Sequence, residues 1–155
     1  MEIWNNDKRL SSFVNYQKAK IMIGGQFKSK IKLRTESFSG VKTIGVFYMR
    51  EDLSCRFDLE FEVTKGRAKI ILVRKGIITP VISETNQRAV IFKLQKGFNR
   101  IRIVGEHADA RLTLLMKKRS HESLINLYFF NEGLLSRHLQ SYKKHLAGKW
   151  TLFLF

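Results

Sequence analysis

Residues 57–63 read Phe-Asp-Leu-Glu-Phe-Glu-Val. Phe57, Leu59, Phe61 and Val63 fall on one side of an extended chain, and Asp58, Glu60 and Glu62 on the other. Alternation this strict cannot keep one face of a helix apolar. It describes an antiparallel strand with one face buried and one in water. The same two-residue beat runs from about residue 19 to 116, so any fold for this chain must stack apolar strand faces against each other. Ile21 and Ile23 carry it first, then Ile31 and Leu33 alternate with Lys28, Lys30, Lys32 and Arg34 around the pair Gly24-Gly25, which suggests a bulge or tight bend. Residues 41–49 form a short strand candidate, and Ala68, Ile70 and Leu72 continue the pattern with Lys69 on the opposite face.

The punctuation between these runs is repetitive. Lys65-Gly66, Lys75-Gly76 and Lys96-Gly97 each separate two strand-like runs, and glycine supplies the positive φ of a tight hairpin. A turn at Lys65-Gly66 sets Glu62 opposite Lys69, Phe61 opposite Ile70 and Leu59 opposite Leu72. Residues 35–40 (TESFSG) and 105–110 (GEHADA) have loop composition. The single proline, Pro80, points to an edge strand or a bulge. Strands spaced about 10 residues apart predict a mainly β fold. Its expected form is an antiparallel β-sandwich of about eight strands with jelly-roll-like connections.

The expected organisation is an N-terminal arm over 1–18, the sandwich over 19–118, and a C-terminal helix with an apolar tail over 119–155. The last part rests on a change of period. After Ser120, a helix cap, Leu124, Leu127, Tyr128, Leu134, Leu135, Leu139, Tyr142 and Leu146 recur at spacings near three and four, with Gly148 as the stop. The tail KWTLFLF places Trp150, Phe153 and Phe155 where they must find cover. That cover is the sandwich, a second copy of the chain in a homo-oligomer, or a membrane surface. The strand order resembles the jelly-roll sandwiches of carbohydrate-binding and other ligand-binding modules. The likeness is architectural, covers about residues 19–116, and carries no ligand residue across.

Partner chemistry is read from charge. Twenty-nine Lys and Arg against 13 Asp and Glu leave a formal net charge of +16. The excess is spread along the chain, which suits a folded body meeting a polyanion such as nucleic acid or an anionic polysaccharide. Lys28, Lys30, Lys32 and Arg34 on one strand, and Arg100 and Arg102 with Lys93 on another hairpin, form rows of cations and are the candidate anion-binding residues. The competing reading is that lysines on exposed strands prevent edge-to-edge pairing and keep the chain soluble. Base stacking would require exposed aromatic residues among the cations.

Catalytic and metal motifs are missing. No G-x-S-x-G, H-E-x-x-H, P-loop or C-x-x-C occurs. Asp58, Glu60 and Glu62 share a face and could in principle serve acid–base chemistry, with ion pairing as the plainer role. Glu106, His107 and Asp109 share one loop with the oxygen-rich composition of a small cation site. No cofactor is implied. The lone Cys55, and an N-terminus without a signal-peptide pattern, make cytoplasm the expected compartment. The expected function is non-catalytic docking of an anionic partner. The rivals are an assembly protein acting through its C-terminal segment and, last, a small enzyme.

Overall fold

A strand with one apolar face must bury it, and a lone sheet has only itself to bury it against. The computed structural model, which describes residues 3–27 and 29–117, resolves this by bending. After a short helix α1 (Asp7–Ser11) come seven strands: β1 (Tyr16–Lys18), β2 (Ile21–Phe27), β3 (Lys30–Met49), β4 (Leu53–Arg74), β5 (Ile77–Ile82), β6 (Asn86–Leu94) and β7 (Gly97–Lys117). All pairings between them are antiparallel. The fold is mainly antiparallel β, as the alternation predicts. One sheet stands where two were expected, with seven strands rather than about eight. β7 lies at the centre, flanked by β3 and β4. β1 and β2 pair successive stretches of β3, and β5 and β6 pair successive stretches of β4.

Phe47 pairs in register with Asn99, and Phe57 with Met116. Those partners stand near opposite ends of β7, roughly 55 Å apart in a straight strand at about 3.3 Å per residue. Yet the rings of Phe47 and Phe57 meet edge to face with centroids 5.6 Å apart. The sheet therefore doubles back, and its apolar face packs against itself. Ile31, Leu33, Phe57, Leu59, Phe61, Leu112 and Leu114 from one half join Phe47, Ile70, Leu72, Ile101 and Ile103 from the other in a single buried cluster.

The bend corrects three expectations at once. The stretches 35–40, 65–66 and 105–110, expected as loops or a hairpin, lie inside β3, β4 and β7. There they are side by side: Phe38 is opposite Ala108, Gly40 opposite Gly105, Lys65 opposite Asp109 and Arg67 opposite Glu106. Register shifts flank each of them. Ser37, Gly66 and His107 take positive φ there, as bulged residues do. Lys65-Gly66 is thus a bulge and not a hairpin. Glu62 faces Arg111 instead of Lys69, and Phe61 faces Leu112 instead of Ile70. Side chains satisfy backbone groups released by the bulges. Asp109 Oδ1 accepts from Ser37 N at 2.8 Å, Ser39 Oγ from His107 N at 2.9 Å, and Thr85 Oγ1 from Val63 N at 2.9 Å.

Other turn signals resolve differently. Lys75-Gly76 is a true hairpin between β4 and β5, with Arg74 opposite Ile77. Pro80 lies on the edge strand β5 beside a register shift, as expected. Lys96-Gly97 is not a hairpin. β6 ends against Leu53 in one half, and β7 starts against Met49 in the other. The buried Asn99 side chain holds that crossing, accepting from Gln95 N and donating to Gln95 O and Gly97 O. Gly24-Gly25 does not break β2. Phe27 at the end of β2 lies opposite Lys30, and the row on β3 runs Lys30, Lys32 and Arg34. Lys28, the expected C-terminal helix and the tail with Trp150, Phe153 and Phe155 lie outside the described residues.

At Gly66 (φ +66) a Cβ would collide with the backbone carbonyls of Glu106 and His107 in the neighbouring strand. Gly66→Val therefore meets both an unfavourable φ and a clash with main chain. It should lower unfolding free energy by about 2 kcal/mol or more in urea denaturation. Gly76→Ala, with φ +77 but open space around it, should cost distinctly less.

Candidate docking face

The bend gives the sheet two outer faces. The first belongs to residues 30–35 of β3, 111–117 of β7 and 53–62 of β4, with β2 and β6 at the sides. Alternation places Lys30, Lys32 and Arg34 outward on β3. Arg111, Thr113, Leu115 and Lys117 face outward on β7, and Arg56, Asp58, Glu60 and Glu62 on β4. The long charged side chains here are exposed or only half-buried. Register fixes their neighbours. Arg34 lies directly opposite Arg111, Lys32 opposite Thr113 and Lys30 opposite Leu115. On the other side of β3, Arg34 meets Ile23, Lys32 meets Gly25 and Lys30 meets Phe27. Ile23 is 64% exposed and Phe27 74%. The face is thus divided, with cations and exposed apolar residues on the β2–β3–β7 side and carboxylates along β4.

Some of the charge is paired within the sheet. Arg34 bridges Glu36 at 2.7 Å, and Asp58 takes Lys117 at 3.3 Å and Arg56 at 3.6 Å. Gln87 Nε2 donates to Glu60 at 2.8 Å, and Arg111 has Glu62 as its register partner on β4. Lys30 and Lys32 differ, because their lateral neighbours on both strands are uncharged. Ion pairing and hydrogen bonding thus occupy Asp58 and Glu60, which were weighed for acid–base work. The carboxylates of the 105–110 stretch have partners too. Glu106 pairs Arg67 at 2.5 Å, which holds its carboxyl below the usual range, and Asp109 accepts from Ser37 N.

The expected site residues do not converge. Lys30, Lys32 and Arg34 share the face just described. Lys93 is exposed on β6 opposite Ser54, with β4 and β7 between it and that row. Arg100 and Arg102 are in the other half and are buried, so they are withdrawn from the anion-binding set. They do point away from the core, as their period predicts, but the outer face of that half is covered by the N-terminal arm. Ile3 and Leu10 pack there on Val41, Ile71, Val73 and Val104, with Trp4 and Ile78 at the margin. Arg67 and Lys69 lie 4.4 and 4.5 Å from the Trp4 ring centre, and Lys69 Nζ donates to Trp4 O at 2.7 Å. Burial, then Arg67, lowers the Lys69 pKa.

A five-residue helix leaves its last carbonyls without intrahelical partners. Arg102 supplies them. Its Nη1 donates to the carbonyls of Arg9 (3.2 Å), Leu10 (2.7 Å) and Ser12 (2.5 Å), and its Nη2 to Val14 O (2.9 Å) and Asn15 Oδ1 (3.2 Å). Arg100 adds Ser11 O and Ser12 O, both at 2.6 Å, and its guanidinium lies 4.1 Å from the Phe13 ring centre. Burial first, and Arg100 beside it, draws the Arg102 pKa down to about 10, which leaves it charged at neutral pH. The cation that the sequence assigned to a partner binds the chain's own backbone. A signal for this was present. Ile70-Ile71-Leu72-Val73 and Ile103-Val104 break the alternation, as strands buried on both faces do.

In comparisons with known proteins, no family model, no curated protein and no solved structure matches the chain. Among the described residues, no helix is long and apolar enough to cross a membrane.

Arg102→Leu leaves several buried carbonyls without donors, each worth about 1–3 kcal/mol. We expect it to cost about 3 kcal/mol in total as the arm loosens, and to speed tryptic cleavage after Lys8 and Arg9. Arg102→Lys should fall between, because an ammonium lacks the planar fork that reaches carbonyls on both sides. Denaturation and timed digestion read the two effects separately.

Proposed function

We propose that the chain is a non-catalytic module that docks single-stranded nucleic acid on the β2–β3–β7 side of its open face. One observation carries the reading: Lys30 and Lys32 have no charged lateral neighbour, and the exposed ring of Phe27 stands directly beside Lys30. Like charges opposed across a sheet cost stability unless something answers them. Arg34 and Arg111 are so opposed, each with one carboxylate beyond it, and the two lysines have none beside them. A backbone of phosphates supplies that counter-charge along a row of cations spaced roughly 6–7 Å apart on the strand. An aromatic face beside the row suits an unpaired base, which stacks whatever its identity.

The acidic row on β4 has a part in this reading. It repels a polyanion from half of the face and so confines it to one track. The architecture taken with the reading is a two-layer sandwich made from one folded sheet, jelly-roll-like in its connections.

The test is fluorescence anisotropy with a labelled oligothymidylate at several salt concentrations. Affinity should fall with salt. Lys32→Ala and Arg111→Ala should each lower the slope of log K against log salt by about 0.7, the value for one phosphate contact on a single strand. Phe27→Ala should weaken oligothymidylate by about 1–3 kcal/mol and leave heparin unaffected. Glu60→Gln should not weaken either ligand. Binding that ignores salt, or is indifferent to Lys32 and Arg111, overturns the reading. Equal loss of heparin and oligothymidylate on changing Phe27 removes the stacking part.

A further inference from the structure

β5 and β6 both pair with β4, but with different stretches of it and not with each other. When the sheet doubles back, these edges become two lips of a slit that leads to the core. Two arginines cross it. Arg74, at the end of β4, donates Nη1 to the Lys93 carbonyl on β6 and Nη2 to Thr79 Oγ1 on β5 at 3.0 Å. Arg88 on β6 donates Nη2 to the Val81 carbonyl on β5 at 2.6 Å. Strands that pair directly lie about 4.8 Å apart. Lips joined by guanidinium groups stand wider, and they enclose an open-sided cleft of about 470 Å³.

That volume is within the roughly 300–1,000 Å³ of small-molecule sites. Its lining is of two kinds. Leu72, Val81 and Phe92 are core residues, and half-buried Val90 packs against them. Arg74, Arg88 and Lys93 are the charged residues of the lining, and no carboxylate is among it. Among the described residues the arginines bond to neutral carbonyls and a hydroxyl, not to a carboxylate. Arg74 Nε is also buried and donates to nothing among the described residues.

We propose that this cleft is a binding site for an amphipathic carboxylate, an anion carrying an unbranched alkyl chain. The carboxylate meets the guanidinium groups of Arg74 and Arg88, where a planar fork matches its two oxygens. The chain lies over Leu72, Val81, Val90 and Phe92, where each buried methylene contributes about 0.8 kcal/mol. The site uses the opposite edge of the sheet from the docking face and does not depend on that reading.

Titration calorimetry with three probes tests it: decanoate below its micelle concentration, decanol and acetate. Decanoate should bind with a stoichiometry near one, and decanol and acetate should each bind at least about tenfold more weakly. Arg88→Gln removes one of the two head-group guanidinium groups; it should weaken decanoate about tenfold, whereas Lys93→Gln, whose side chain is on the outer face of β6, should leave it unchanged. Val90→Trp should fill the chain's place and abolish binding, with an unchanged far-ultraviolet dichroism spectrum confirming the fold. Decanol binding as tightly as decanoate would mean a plain apolar groove. Acetate binding as tightly would mean a simple anion site. Either result, absence of decanoate binding, or indifference to Arg88→Gln and Val90→Trp overturns the proposal.

Discussion

Everything in this molecule follows from three adjacent strands bending at one level. A sheet with a single apolar face gains by burying it, and here the partner surface is the far half of the same strands. The bend requires β3, β4 and β7 to break their ladders together, because a kink in one strand alone would tear it from its neighbours. Bulges at Ser37, Gly66 and His107 supply the local turn. Ser, Thr and Asp side chains near them take up hydrogen bonds that the ladder gives away. Close approach also constrains this line. A Cβ at Gly105 would press into the Phe38 ring, which is completely buried at the crease.

Bending makes the two outer faces unequal. One is covered by the N-terminal arm, the other is uncovered among the described residues, and cations in the same two-residue rhythm meet opposite fates on them. Arg102 and Lys32 have comparable local sequence, Ile-Arg-Ile and Ile-Lys-Leu. One is sealed among carbonyls and the other stands in water. The face a strand residue occupies is set locally, but what covers that face is decided by a segment some 90 residues away in the chain.

That distinction sets how much could be read in advance. The strands, their antiparallel character, the β4–β5 hairpin and the edge position of Pro80 were legible, because each follows from short-range periodicity or from proline's missing N–H. The bend was not. The dipeptides Lys65-Gly66 and Lys75-Gly76 are identical, yet the first bulges and the second reverses the chain. Glycine at positive φ serves both geometries, and the choice depends on whether both flanks find one common partner strand, as those of Gly66 find β7. In the candidate site, Lys30, Lys32 and Arg34 were legible as a row. Arg111 was not, since its place beside Arg34 depends on β3–β7 register. Phe27 was not legible either, since its place beside Lys30 depends on β2–β3 register.

The same geometry explains how a chain with 29 basic and 13 acidic residues tolerates its own charge. Arg74, Arg88, Arg100 and Arg102 all donate to backbone carbonyls. Those carbonyls are the ones a doubled sheet and a one-turn helix leave over, at slit lips and at the helix end. A carbonyl oxygen carries only a partial negative charge, so it can hold a guanidinium in place without neutralising it. Four cations are therefore held in place by backbone carbonyls. The formal excess overstates the charge free to move toward a partner, yet the field of the whole body stays strongly positive. Lys30 and Lys32 contribute to that field from the outer face, beside uncharged register neighbours on both adjacent strands.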